Sequence, residues 1–67
     1  MTRADATRMA RRAGNVGARH PETAARFYRR ASTLFHQVGD HTAARDCDEA
    51  AEAHDAIARQ HRRREAS

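Results

Sequence analysis

The sequence has very little from which to build a hydrophobic core. Its 67 residues include no tryptophan, one tyrosine and two phenylalanines, with only one leucine, one isoleucine, two valines and two methionines. A chain of this length buries only about 60% of its unfolded surface, and so few large apolar side chains make the core poorer still. A deep active site is therefore not expected, and self-association or a partner surface is the economical route to stability. The single cysteine, Cys47, excludes an intramolecular disulfide and fits a reduced, cytoplasmic protein. No apolar run approaches the ~20 residues of a membrane span, and no signal-peptide core is present. The first twenty residues are arginine-rich with Asp5 as their only acid, as in a transit peptide, but removing them would leave too little chain to fold. Lysine is absent too. All thirteen basic residues are arginine, which beside so much alanine is first a trace of a GC-rich genome and only second a matter of chemistry.

What is present is helical periodicity. At about 100° per residue, Ala24, Phe27, Tyr28, Ala31, Ser32, Leu34, Phe35 and Val38 gather on one half of a helix. Arg26, Arg29, Arg30, Thr33, His36 and Gln37 take the other half. Gly39 follows where a left-handed C-cap is wanted, and Asp40 where a side-chain oxygen caps the next helix. So short a connection makes the two helices antiparallel neighbours. In the second helix Ala43, Ala44, Cys47, Ala50, Ala51, His54, Ile57, Ala58 and His61 share a stripe whose small side chains let another helix backbone approach closely. His54 is expected to be largely buried there, between Cys47, Ala50, Ala51 and Ala58.

Upstream, Ala6, Met9, Ala10, Ala13, Val16 and Gly17 recur at three and four residues, and Pro21-Glu22 suits a helix first turn. The expected fold is all-α: one domain of three helices near 3–16, 22–38 and 40–62, with a basic tail over 59–67. An unrelated three-helix or dimeric bundle is the alternative packing. Charge is segmented. Residues 1–38 hold eight arginines against Asp5 and Glu22 (+6), residues 39–58 hold Arg45 against six acids (−5), and residues 59–67 hold four arginines against Glu65 (+3). Its simplest use is complementarity between helices or between copies.

Several chemistries find no support. A helix-turn-helix reader would place the helix after Gly39 on DNA, yet Asp46, Asp48, Glu49, Glu52 and Asp55 repel phosphate. Cys47, His54 and His61 lie seven residues apart, a rise of about 10.5 Å per step, too far for one helix to close around a single zinc. His36 and His41 flank the turn. Cys47 has acids rather than cations beside it, which gives no activated thiol, and no glycine-rich phosphate loop exists. No catalytic residue, metal site or cofactor is expected. The Arg-rich tail is read as a solvated helix end whose cations suit the macrodipole, with phosphate contact as the rival.

Tyr28, Ala31, Ser32, Phe35, Gly39-Asp40, Ala44 and Ala51 resemble the tetratricopeptide repeat: an aromatic, a leucine-glycine position, an aromatic, a turn, then two spaced small residues. The ~34-residue period carried backwards places Ala10 and Gly17 at the small positions of a preceding half repeat, with Pro21 near the inter-repeat proline. Tyrosine stands for the usual tryptophan, Ala31-Ser32 for leucine-glycine and His41 for a tyrosine. The resemblance implies a non-enzymatic scaffold holding a peptide or partner helix in a groove lined by the first helix of the hairpin. By position that groove side is Arg26, Arg29, Thr33, His36 and Gln37, and Arg26, Arg29 and Arg30 are suited to receive the carboxylates of an acidic partner. A homodimer is expected, with Met9, Val16, Phe27, Leu34 and Ile57 available to cover open flanks. The alternative function is a basic nucleic-acid-associated protein acting through the tail and the N-terminal arginines.

Overall fold

Local signals start and stop each helix. The computed structural model describes residues 2–66; Ser67, the last residue of the basic tail, lies outside them. Thr2 opens α1 (Arg3–Val16) with a capping box: the Asp5 amide donates to Thr2 Oγ1, and the Thr2 amide donates to Asp5 Oδ2. Pro21 opens α2 (Pro21–Gln37) at its first turn, where the missing N–H would have had no helical partner. The chain then closes a Schellman turn. The Asp40 amide bonds the Phe35 carbonyl at 2.9 Å and the Gly39 amide bonds that of His36 at 3.1 Å, with Gly39 at φ +83°. Asp40 Oδ1 accepts from the Ala43 amide and so caps α3 (His41–Ala66). The third helix thus continues to Ala66, past the expected end near residue 62, because nothing after Gln60 breaks it and its last turn is rich in arginine.

The three helices form a short array with α2 in the middle. It packs against both α1 and α3, which have few contacts with each other, and all three helices contribute to one core cluster. That arrangement is open, unlike a closed three-helix bundle in which the outer helices also pack together. The Cα envelope measures 44 × 17 × 11 Å, a thin slab whose length is set by α3.

Alanine makes the contacts. Ala6 and Ala13, Ala24 and Ala31, and Ala44, Ala51 and Ala58 are all at most 3% exposed, and within each helix they are seven residues apart. A seven-residue interval returns to nearly the same side of a helix, so each helix presents a strip of methyl groups that brings backbones close. Leu34, Phe35 and Cys47 fill what remains near the Gly39 end. The sequence expectation needs two corrections here. Ile57, placed on the buried stripe, is 39% exposed, and His61 is exposed as well, because the stripe narrows to one side once α1 ends. Leu34, expected to be free to cover a flank, is already buried between α1 and α2.

Candidate interaction surface

Arg26, Arg29, Arg30, Thr33, His36 and Gln37 are all exposed on the side of α2 away from its alanine strip. They do not behave as one set. Arg29 forms an ion pair with Asp55 of α3, which holds the Asp55 carboxyl below the usual carboxylate range and raises the guanidinium's own affinity for its proton. Glu52 and Asp48 add to the negative field around Arg29. Thr33 Oγ1 donates to the Arg29 carbonyl at 3.2 Å. His36 faces His41 across the turn, Nδ1 to Nδ1 at 2.8 Å; such a contact needs one ring as donor and the other as acceptor.

Arg30 reaches toward α1. Arg29, Arg30, Thr33, Leu34 and Gln37 line one shallow depression, and Asp5, Arg8, Met9, Arg12, Arg30 and Leu34 line a second. Arg30 and Leu34 belong to both, so the two adjoin in one open trough; Met9 gives it an apolar patch above the buried Leu34, and its rim carries Arg8, Arg12, Arg29 and Arg30 together with Asp5, which lies 3.8 Å from Arg8. Arg26 and His36 line neither. Arg8 and Arg12 were missed as site residues; their signal was the i, i+4 spacing on the α1 face beside Met9, and only the packing of α1 on α2 assigns that face to the trough. Arg12 also lies over the Phe27 ring, 5.6 Å from its centroid, and helps shield that half-buried aromatic.

Across the Arg29–Asp55 seam the same face turns acidic. Asp48 and Glu52 are exposed and Asp55 partly so, with Arg45 before them on the helix and Arg59 and Arg62 close enough after them to act on the Asp55 carboxyl. Among the described residues, Arg26, Arg30, Asp48 and Glu52 form no ion pair, while Arg3 reaches Asp40 at 3.6 Å and Arg62 of the tail pairs with Glu22.

His54 is not exposed, as its place on the α3 stripe requires, and Ala50 is among its neighbours as expected, joined by Tyr28 of α2 and Gly17 at the end of α1. Its Nδ1 donates to the Ala50 carbonyl at 2.8 Å, its ring lies 5.3 Å from that of Tyr28, and its Nε2 lies against Gly17. Cys47 is buried, and desolvation, then Asp48 and Asp46, raise its thiol pKa, so it is a poor nucleophile. Among the described residues no three potential metal ligands come together, and no helix is long and apolar enough to cross a membrane. No family model, curated protein or solved structure matches the chain.

Proposed function

We propose that this chain is a small non-enzymatic protein-interaction module, an adaptor or regulatory subunit of tetratricopeptide-like build. It binds an acidic protein segment along the exposed face of α2. The observation that carries this reading is the open trough, with half-buried Met9 in it and four arginines against one acid, Asp5, around it; Arg12 and Arg30 are free of ion pairs among the described residues. An amphipathic helix bearing carboxylates matches that combination, its apolar side on Met9 and its acids bidentate to guanidinium groups. The repeat-like part of the proposal is supported by the order of the array, with α2 between the other two helices. It is also supported by the burial of Ala44, Ala51 and Gly17 at the small positions. A reduced cytoplasmic setting suits the lone buried thiol, and a homodimer is the proposed resting assembly.

Calorimetric titration with an acidic amphipathic peptide of about four helical turns, beside random-sequence DNA, tests the reading. The expected outcome is salt-sensitive peptide binding that is lost in Arg30→Glu. Absence of peptide binding at low salt would overturn it, and tight DNA binding with a steep salt slope would establish the nucleic-acid alternative instead.

A further inference from the structure

The Gly39 turn does more than reverse the chain. It sets a histidine at each of its ends, His36 in the last turn of α2 and His41 at the first position of α3, with Nδ1 facing Nδ1 at 2.8 Å and ring centroids 5.0 Å apart. On a continuous helix a five-residue interval would carry the two to different faces; here the left-handed glycine folds them together. The backbone between them is fixed. The Asp40 and Gly39 amides bond the Phe35 and His36 carbonyls, the Ala43 amide bonds Asp40 Oδ1, and Arg3 lies 3.6 Å from Asp40 Oδ2. The two imidazoles are therefore held close by the turn itself, before any ligand arrives.

Neutral imidazole is the commonest side-chain ligand of transition metals. A histidine nitrogen lies about 2.0–2.1 Å from a bound ion, so a 2.8 Å separation between two of them corresponds to an angle of about 86° at the metal. Neighbouring positions of a square-planar or octahedral shell need about 90°, whereas a tetrahedral site would hold the nitrogens about 3.3–3.4 Å apart. The rings now meet nearly end on through one N–H, and each must turn somewhat to aim at a common ion. Both are exposed and hold no other hydrogen bond or ion pair among the described residues, so the movement breaks nothing else. The ion takes the place of the shared proton, which passes to Nε2 of the same ring; two neutral rings thus bind with no net proton release. Asp40 stays out of the set, since its oxygens serve the Ala43 amide and Arg3. Arg45, one turn beyond His41 on α3, opposes a cation and limits the affinity.

We propose that His36 and His41 form a two-histidine site for a divalent transition metal at the α2–α3 turn, with copper(II) bound most tightly, nickel(II) next, and water completing the shell. The bound ion pins the end of α2 to the start of α3 and so ties down the connection between the antiparallel helices. Neither histidine lines the trough, so the metal site stands or falls independently of peptide binding there.

Calorimetric titration of the untagged chain with nickel(II) and copper(II) chloride in a non-coordinating buffer tests the site. One equivalent of nickel is expected to bind, and His36→Ala and His41→Ala should each weaken it by about tenfold or more, because either change leaves a single imidazole. His61→Ala removes an exposed histidine near the other end of α3 and should leave the affinity within about twofold of wild type. Nickel should also raise the melting temperature of the wild type while leaving that of His36→Ala and His41→Ala unchanged. Far-UV circular dichroism checks the helicity of each variant, and His36→Gln and His41→Gln serve in place of an alanine variant that unfolds. Loss in both turn variants with His61→Ala unaffected sustains the proposal. Absence of nickel and copper binding at about 1 mM metal overturns it. So does nickel binding that survives in either turn variant or is lost in His61→Ala.

Discussion

At Gly17 the backbone is right-handed helical, φ −54° and ψ −43°, so glycine is not needed there for its conformation. It is needed for space: a Cβ at this position would stand 2.5 Å from His54 Nε2, and that ring is pinned by the Ala50 carbonyl and Tyr28. Gly17→Ala should therefore destabilise the fold by about 1–3 kcal/mol in denaturant unfolding, the range for overpacking a close contact. In a His54→Ala background the same change should be neutral or stabilising by up to ~1 kcal/mol, since alanine is otherwise the better helix residue. Asp5 offers a second test at this scale. Hydrogen bonds from Thr2, first from its backbone and then from its side chain, hold the Asp5 carboxyl below its ordinary pKa, with Arg8 helping. A depressed folded-state pKa contributes stability that is present above the unfolded value and lost as pH falls through the folded one. The helix signal should thus weaken as pH drops below about 4, and Asp5→Asn should flatten that acid limb. Asp55, held down by Arg29, acts in the same direction.

Among the elements, α2 is the one through which the others are joined, and its contacts depend on side chains no larger than a methyl. Ala31 is fully buried at the level of Leu34 and Phe35. Ala31→Leu should push a neighbouring helix away and cost about 1–3 kcal/mol or more, whereas Ala53→Leu, on the exposed side of α3, should change stability by less than about 0.5 kcal/mol. The Gly39 turn behaves differently from Gly17. Nothing lies within 4 Å of a Cβ built there, but its φ of +83° penalises any L side chain. Gly39→Ala should cost about 1 kcal/mol and Gly39→Asn less, because asparagine tolerates the left-handed region. Thermal melts of the pair separate backbone strain from steric fit.

For the whole molecule, thinness governs stability. Three helices within a cross-section of 17 × 11 Å have no further layer to cover the core, and each outer helix is held chiefly by α2. Native-state hydrogen exchange should be slowest at Ala31, Leu34, Phe35 and Ala44, where burial is greatest. It should be fastest in the last turns of α3, exposed from Arg59 onward and tied back through the Arg62–Glu22 pair. If the proposed homodimer forms, unfolding should become dependent on protein concentration.

What the sequence by itself determined was local. The caps at Asp40, the left-handed Gly39, the first turn at Pro21 and the periodicity of α2 depend on residues within one turn of each other, so the three helices and their order were legible without coordinates. The polar face of α2 was legible for the same reason. Tertiary structure decided everything that depends on which helix faces which. It joined Arg8 and Arg12 of α1 to Arg30 and turned Arg29 onto Asp55. It also set His54 over Gly17 and left Ile57 in solvent. Those outcomes follow from the packing of both α1 and α3 on α2. That packing is set by the summed fit of alanine strips from three helices, and a helical wheel drawn for one helix holds no information about the other two.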